Sequence, residues 1–251
     1  MPNIVAGIPA RYGSTRFPGK SLALLGGKPV IEHVYRRAAA APYVDEVIVA
    51  TDDERIAEAV RAFGGEVRMT SAEHPSGSDR LAEMFETVDC KLVVNLQGDE
   101  PLMEPETIGL AIEAFFSGEH TFVATAMTRI RDRRTLLDPN AVKVTVDREG
   151  YAVHFSRQPE PPVAPGQDVD LEATPYYKHL GLYVYPRSFL LDLHKIPPSV
   201  REEANHLEQF RMIDNGFDIK VAESPHDSPG IDTPADLQRA EALLNVAEKQ
   251  N

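Results

Sequence analysis

The sequence predicts an α/β fold with a mostly parallel, Rossmann-like sheet and helices on both faces. Short apolar runs alternate with helical patterns through the first half of the chain, from Asn3–Ile8 to Pro105–Phe116. Such alternation is typical of parallel strands that are joined by crossover helices. A length of 251 residues suffices for one domain of this class, and no linker is long enough to separate two.

Each element of the first half follows from a local pattern. Strands are predicted at short, bounded apolar runs, and helices where apolar residues recur with a helical period. Asp52 or Asp53 suits the N-cap of the second helix, and Pro105 suits the first turn of the fourth. The predicted strands are Asn3–Ile8, Glu46–Ala50, Glu66–Met69 and Lys91–Leu96, and the predicted helices are Val30–Ala41, Asp53–Phe63, Asp79–Val88 and Pro105–Phe116.

The second half of the chain breaks the alternation. Three strand-like runs follow one another without an intervening helix, and Gln158–Pro175, rich in Pro, Asp and Glu, predicts a flexible loop. We therefore predict an inserted mixed β region over residues 129–220, within a single domain that spans residues 1–251. The other predicted strands are Phe122–Thr128, Val142–Val146, Val153–Phe155, Leu180–Tyr185 and Asp218–Val221, and the other helices are Ser188–Leu193, Asn205–Asn215 and Thr233–Lys249.

Composition excludes several classes of protein. The formal net charge of −13 repels nucleic-acid backbones and anionic membranes. No run approaches the roughly 18 apolar residues that a membrane span needs, and the N-terminal segment predicts a strand rather than a signal peptide. The single cysteine, Cys90, rules out an internal disulfide and is expected to be a buried thiol. These observations predict a cytoplasmic protein that binds neither nucleic acid nor a membrane.

A basic segment with two glycines, residues 8–20, directly follows the first predicted strand. Ligands of open α/β sheets bind beyond the carboxyl ends of the strands. Arg11 and Arg16 can grip phosphate with two hydrogen bonds each, and Lys20 offers a compact charge to an α-phosphate under attack. The segment is not a Walker loop, which needs GxxxxGK[ST]. A solvated basic loop is the alternative, but crowded cations repel one another without an anion.

Two aspartates are candidate metal ligands. Asp99 follows the buried strand ending at Leu96, and Asp232 precedes Thr233-Pro234, which suits the N-cap and first position of a helix. Mg²⁺ prefers carboxylate, phosphate and water oxygens. The alternative for Asp99 is a cap of the turn before the next helix.

Two further groups of residues are weak evidence when taken alone. Met69–Arg80 places small hydroxyl residues and a glycine before a helix, whose amides could bind a base edge or a phosphate, although Ser78 or Asp79 could simply cap that helix. In the second half, polar residues lie within apolar sequence. The alternative for His179 is an ordinary half-buried histidine. The alternative for Glu208 and Arg211 is an ion pair on the surface of a helix.

Together these motifs resemble those of the 3-deoxy-manno-octulosonate (Kdo) cytidylyltransferase family, the CMP-Kdo synthetases. The similarity runs in order through IPARYGSTRFPGK, VATDD, SGSDR, NLQGDEP, NAVKV, YAVHFSR, KHLGLYVY, LEQFR and GIDTPADL. It implies a nucleotidyltransferase-type fold, a homodimer, and Mg²⁺-dependent transfer of CMP from CTP to an acidic eight-carbon sugar for lipopolysaccharide synthesis. Ser78 stands where the family often has Thr, Ile231 where it often has Val, and Asn205 where it usually has Glu.

The resemblance also implies roles for matching residues, in a direct in-line attack of the anomeric hydroxyl on the α-phosphorus. Arg11, Lys20, Asp99 and Asp232 would carry catalysis, the two aspartates would hold Mg²⁺, and Arg157 would hold the sugar carboxylate. Two alternatives stay open: the same reaction on an 8-amino derivative or another acidic sugar, and a catalytically silent, ligand-binding regulator. The implied nucleotide contacts are Ala10, Arg11, Lys20, Ser76, Gly77, Arg80 and Gln97, and the implied sugar contacts are Gln97, Arg157, His179, Tyr183, Glu208 and Gln209.

Overall fold

A mixed sheet of nine strands organises the computed structural model, which describes residues 3–118, 121–164 and 166–248, with backbone alone for 246–248. Seven strands follow one another in the order β11-β7-β10-β6-β1-β4-β5, and β8 and β9 extend from β10. A two-stranded hairpin, β2–β3, lies apart. The strands are β1 Ile4–Ala10, β2 Leu24–Leu25, β3 Lys28–Pro29, β4 Glu46–Thr51, β5 Glu66–Met69, β6 Leu92–Leu96, β7 Val123–Arg129, β8 Lys143–Val146, β9 Ala152–Ser156, β10 Tyr177–Pro186 and β11 Ile219–Ser224.

The pairing of the strands is parallel on one side of the sheet and mixed on the other. β6, β1, β4 and β5 pair in parallel, as the alternation of the first half predicts. β10 enters antiparallel between β6 and β7, and β11 pairs in parallel with β7. The helices are α1 Val30–Ala39, α2 Glu54–Ala62, α3 Gly77–Thr87, α4 Pro105–Ser117, α5 Arg133–Leu137, α6 Arg187–Leu193, α7 Val200–Asn205, α8 Gln209–Asp214 and α9 Pro234–Glu248, with a 3-10 turn at Lys20–Leu22.

Helices cover both faces of the sheet because its central strands are apolar on both sides. In β6, Val94 packs in one buried cluster, and Val93 in another that lies against α3. Gly7 of β1 allows α3 to approach closely, since a methyl group there would lie 2.8 Å from Leu81 and 2.9 Å from Phe85. The start of α3 is thereby held beside the end of β1.

Two predictions about the second half are wrong. A short helix, α5, lies between β7 and β8, where strands without an intervening helix were expected. The helix predicted over Asn205–Asn215 is two helices, because His206 adopts a left-handed conformation with φ of 53° and ends α7. Ser199 starts α7 through a capping box with Glu202. The short hairpin β2–β3 has no counterpart in the sequence prediction.

Other expectations are met within the described residues. Asp53 caps α2, and Thr233 Oγ1 accepts from the Asp236 amide at the start of α9. Cys90 is buried, and burial raises its pKa to about 11. The described part of Gln158–Pro175 contains no helix or strand, whereas Pro165 and Lys249, which fall in two predicted segments, lie outside the described residues. No helix in the described part of the chain has the length and apolarity to cross a bilayer.

Candidate functional site

A cleft of about 290 Å³ opens at the carboxyl ends of β1 and β6. Its walls are the segment after β1, the start of α3, the turn after β6 and the turn before α9. All seven implied nucleotide contacts and both implied metal ligands line it: Ala10, Arg11, Lys20, Ser76, Gly77, Arg80, Gln97, Asp99 and Asp232.

Lys20 joins the two aspartates at the bottom of this cleft. Its Nζ donates to Asp99 Oδ2 at 2.6 Å and to Asp232 Oδ1 at 3.2 Å. Arg16 pairs with the other oxygen of Asp232, at 2.9 Å. Arg11 and Arg16 are exposed to solvent, but the charges of Arg16 and Lys20 are offset by two carboxylates from elsewhere in the chain. The Asp99 carboxylate accepts from Lys20 rather than from the turn before the next helix, and α4 begins only after Glu104.

Backbone contacts fix the spacing of these carboxylates. A methyl group at Gly98 would lie 2.8 Å from the carbonyl oxygen of Pro9, so the turn after β6 packs directly on β1 only because residue 98 is glycine. The Ile231 amide donates to the Asp99 carbonyl at 2.8 Å. This bond brings Asp232, 133 positions further along the chain, against the same turn.

The two carboxylates are suited to a hard divalent cation. One ammonium group lies within hydrogen-bond distance of both, so a single cation can contact the pair. Their side chains are 31% and 34% exposed, which leaves them open to the cleft. Among the described residues, no group of three acidic, histidine or cysteine side chains forms a metal site. Mg²⁺ accepts such a site, because it commonly binds one or two carboxylates together with substrate phosphates and water.

The start of α3 forms the opposite wall. Ser76, not Ser78 or Asp79, is the N-cap, and its hydroxyl accepts from the Asp79 amide. Arg80 is 3% exposed and donates to Thr70 Oγ1 at 2.6 Å. Burial lowers its pKa, while the carboxylate of Asp52, 3.2 Å away, opposes that shift. Arg80 therefore braces the loop before α3 and also contributes positive charge to the cleft.

The implied sugar contacts, Gln97 excepted, lie outside this cleft, and two of them, His179 and Tyr183, are half-buried side chains of β10. The ring of His179 lies 5.4 Å from that of Tyr183. Thr125 Oγ1 donates to the Leu182 carbonyl at 2.7 Å, so it must accept from His179 Nε2 at 2.9 Å. Burial lowers the pKa of His179 to about 3, with the Lys178 charge adding to the effect. His179 is thus neutral, protonated on Nε2, and presents Nδ1 as an acceptor.

Glu208 lies between the cleft wall and β10. Its Oε2 accepts from Ser78 Oγ at 2.8 Å, and the neighbouring Gln209 is 5% exposed. Burial raises the pKa of Glu208, and the Ser78 hydrogen bond opposes that shift. The alternative that Glu208 forms a helix-surface ion pair with Arg211 is wrong, because Arg211 contacts Glu202 at 2.6 and 2.9 Å.

Arg157 contacts backbone rather than a carboxylate. Its three guanidinium nitrogens donate to the carbonyls of Asn205, Pro139 and His206, at 3.2, 3.2 and 3.3 Å. Arg157 therefore ties together the turn before β8 and the turn that leads into Glu208. The side chain of Asn205 bonds back to the Arg201 carbonyl of its own helix, at 2.9 Å.

Two residues of this region were missed by sequence reasoning. Burial raises the pKa of Glu100 to about 7; the Lys178 charge opposes this shift and the Asp99 charge adds to it. Glu100 Oε1 accepts from the Gly181 amide at 2.7 Å, at a bulge in β10, where any side chain on residue 181 would collide with it. The second is Asn95, 1% exposed in the middle of β6. A polar residue within the apolar run LVVNL is the signal that could have found it.

The cleft and the strands that carry it define an α/β protein in which basic side chains and two carboxylates converge at the carboxyl ends of β1 and β6. The cytidylyltransferase family model matches residues 5–219. The 3-deoxy-manno-octulosonate cytidylyltransferase of Geobacter sulfurreducens is 50% identical over 244 residues, which cover 94% of this chain and 97% of that protein. Its namesake from Geobacter metallireducens is 51% identical over 249 residues, or 96% and 98% of the two chains.

A solved structure of CMP:2-keto-3-deoxy-manno-octonic acid synthetase complexed with CTP matches with a TM-score of 0.88 and 41% identity, covering 98% of this chain and 99% of that one. The chain therefore belongs to the 3-deoxy-manno-octulosonate cytidylyltransferase family. The resemblance seen in the motifs is confirmed, and so is the mixed α/β fold of the nucleotidyltransferase type.

Proposed function

We propose that this protein is a nucleotidyltransferase that transfers CMP from CTP to the anomeric hydroxyl of Kdo, releasing pyrophosphate and giving CMP-Kdo for lipopolysaccharide synthesis. The observation that carries the proposal is the cleft in which Arg11, Lys20, Gln97, Asp99 and Asp232 converge at the carboxyl ends of β1 and β6. Relatives that are half identical over almost their whole length bear the name of this activity, and the matching solved structure holds CTP.

The chain's own residues have to position and neutralise a triphosphate. Arg11 and Arg16 offer planar guanidinium groups to phosphate oxygens, and Lys20 offers a point charge to the α-phosphate. The anomeric oxygen attacks the α-phosphorus in line as the bond to the leaving pyrophosphate breaks. Donors fixed in advance stabilise the charge that develops in this step. No covalent intermediate with the protein is required.

Asp99 and Asp232 would hold Mg²⁺. When bound, the ion supplies charge neutralisation at the phosphates and lowers the pKa of a coordinated hydroxyl. The two carboxylates are the support for this proposal, because an ammonium already contacts both and each faces the cleft.

The sugar would lie between the cleft and β10. The neutral His179 donates its Nε2–H to Thr125, so its Nδ1 is a hydrogen-bond acceptor. Nδ1 can therefore accept from a sugar hydroxyl but cannot bind a carboxylate, which is itself an acceptor. A cation has to meet the carboxylate, and Arg157 is the candidate, since none of the carbonyls that it contacts carries a charge. Tyr183, Glu208 and Gln209 complete the proposed sugar contacts.

A cytoplasmic homodimer is the proposed form of the protein. The buried, unreactive thiol of Cys90 is compatible with a reducing compartment. In the second half of the chain, Val153 and Val200 are 55% and 84% exposed, and a second copy of the chain could cover them. Analytical ultracentrifugation measures the assembly directly, and a monomer at assay concentration would contradict the dimer.

Pyrophosphate release tests the activity. CTP and each of the other three nucleoside triphosphates are paired with Kdo and with its 8-amino derivative, with and without Mg²⁺, and the products are identified by mass. We expect turnover with CTP, Kdo and Mg²⁺. Turnover with the 8-amino sugar alone would change the substrate, and CTP binding without turnover of any sugar would indicate a silent regulator.

A further inference from the structure

A chain of buried hydrogen bonds connects the nucleotide cleft to Glu208. Gln97 Nε2 donates to Asn95 Oδ1 at 3.1 Å, and Asn95 Nδ2 donates to Ser78 Oγ at 3.3 Å. Ser78 Oγ donates in turn to Glu208 Oε2 at 2.8 Å. The two middle members, Asn95 and Ser78, are 1% and 5% exposed, so water does not compete for the bond between them. Tyr185 is a side branch, whose hydroxyl accepts from Asn95 Nδ2 at 2.9 Å.

The carboxylate at one end sets the direction of every bond in this chain. An ionised carboxylate only accepts hydrogen bonds, so it takes the single hydroxyl proton of Ser78. Ser78 Oγ can then only accept from Asn95, which must turn its amino group toward Ser78 and its carbonyl toward Gln97. Gln97 must therefore present its own amino group to Asn95. The hydroxyl of Ser76 is not an equivalent donor, because it lies 2.6 Å from Asp79 and 3.5 Å from Glu208.

The orientation of the Gln97 amide has a consequence at the cleft. With its amino group committed to Asn95, Gln97 turns its carbonyl oxygen toward Gly77, where a methyl group would lie 3.9 Å from that oxygen. Both residues line the cleft. The wall thus offers a fixed acceptor to a substrate donor, an amine or a hydroxyl, and a reversed amide would offer a donor instead.

We propose that Ser78 and Asn95 are positioning residues, through which Glu208 on the sugar side fixes the acceptor that Gln97 presents in the cleft. The two sites of the enzyme are thereby coupled without touching each other. This inference rests on the proposed function, because Gln97 and Glu208 are its implied substrate contacts. Ser78 is the junction of the chain, and threonine, the residue that the family often has there, keeps the hydroxyl.

The test is whether Gln97 and Glu208 act independently. For Gln97→Ala, Glu208→Gln and the double variant, kcat/KM is measured for the sugar and, separately, for CTP. The comparison of the two constants identifies which substrate donates a hydrogen bond to the Gln97 carbonyl oxygen. With Ser78 present, we expect the fold-change in kcat/KM of the double variant to differ about fivefold from the product of the two single-variant fold-changes. A difference of this size lies within the range for members of one hydrogen-bond network. The difference should persist with Ser78→Thr and disappear with Ser78→Ala.

Tyr185→Phe is the matched control, because it removes another buried hydroxyl bonded to Asn95 without cutting the route. We expect its Tm to fall while the coupling stays. Independent effects in the presence of Ser78, or coupling that survives Ser78→Ala, would overturn the inference, as would loss of coupling in Tyr185→Phe. A wild-type protein that forms no CMP-Kdo would overturn the proposed function, whereas independent effects in an active enzyme overturn the positioning role alone.

Discussion

Replacing Lys20 with methionine removes a cation that contacts both cleft aspartates. Its ion pairs measure 2.6 and 3.2 Å, and their carboxylates are about one-third exposed, at 31% and 34%. Exposed pairs contribute about 0.2–1 kcal/mol each, so we expect a loss of about 1–2 kcal/mol of stability, including the new repulsion between Asp99 and Asp232. For a chain of this length that corresponds to a fall in Tm of about 2–8 °C.

The same substitution should affect chemistry more than binding. A donor aimed at charge that develops in the transition state is worth about 2.7–4 kcal/mol, so kcat should fall about 10²–10³-fold. CTP affinity should weaken by about tenfold or less, since other cleft cations contact the ground-state phosphates. In the proposed metal site Lys20 and Mg²⁺ would compete for the same two carboxylates, so the unliganded variant should bind Mg²⁺ more tightly than the wild type does.

Three measurements check these expectations: single-turnover rates at saturating CTP, calorimetry of CTP binding, and calorimetric titration of the unliganded protein with Mg²⁺. Lys28→Met is the matched control, because Lys28 is exposed on β3 and does not line the cleft. An unchanged kcat with only a raised KM for CTP would show that Lys20 binds ground and transition states equally. Weaker Mg²⁺ binding in the Lys20→Met variant would refute the idea that the Lys20 ammonium and Mg²⁺ occupy the same position between Asp99 and Asp232.

Other substitutions test the remaining parts of the site. Asp99→Ala and Asp232→Ala should each abolish pyrophosphate release and weaken Mg²⁺ binding while circular dichroism stays native; near wild-type rates would remove that residue from the metal site. Arg157→Lys should lower kcat/KM for the sugar about ten- to a hundredfold, because a lysine ammonium cannot reproduce the two parallel hydrogen bonds that a guanidinium gives a carboxylate. CTP affinity should change less than about threefold. Equal losses toward both substrates would leave Arg157 only its role in holding the two turns. His179 has a folded pKa of about 3, below its unfolded value, so its contribution is present above the unfolded pKa and is lost as pH falls. Denaturant unfolding of the wild type and of His179→Gln is measured at pH 7 and at pH 5, and the wild type should lose roughly 1–2 kcal/mol more of its free energy of unfolding between the two pH values. Comparing the two proteins separates His179 from Glu100, whose raised pKa changes stability in the opposite direction. Equal losses in the two proteins would contradict a neutral His179.

The cleft could be predicted from the sequence because its signals are local. Arg11 and Asp99 each follow a predicted strand within a few residues, and parallel strands bring their carboxyl ends to one edge. Local signals say nothing about partners that are far apart in the chain. The ion pair between Lys20 and Asp232 joins positions separated by 212 residues, and Arg211 pairs with Glu202 across the turn that ends α7.

That turn is also where the predicted helix Asn205–Asn215 fails. His206 carries no strong preference against a helix, yet it takes a left-handed conformation because the carbonyls on either side of it are held. Arg157 donates to the carbonyls of both Asn205 and His206. The turn that ends α7 is thus held by a side chain that follows β9, 49 positions earlier than His206 in the sequence, and a local sequence pattern does not contain that information.

The geometry of the cleft depends on backbone approach more than on the functional side chains themselves. Pro9, near the end of β1, contacts both nucleotide walls, since methyl groups at Gly77 and Gly98 would lie 3.0 and 2.8 Å from its atoms. The bond from the Ile231 amide to the Asp99 carbonyl then fixes the turn that carries Asp232. These contacts bring the two turns that carry Asp99 and Asp232 together without any contribution from their charges. It follows that removing a single charge from the cleft changes what it binds, because the backbone that shapes it stays in place.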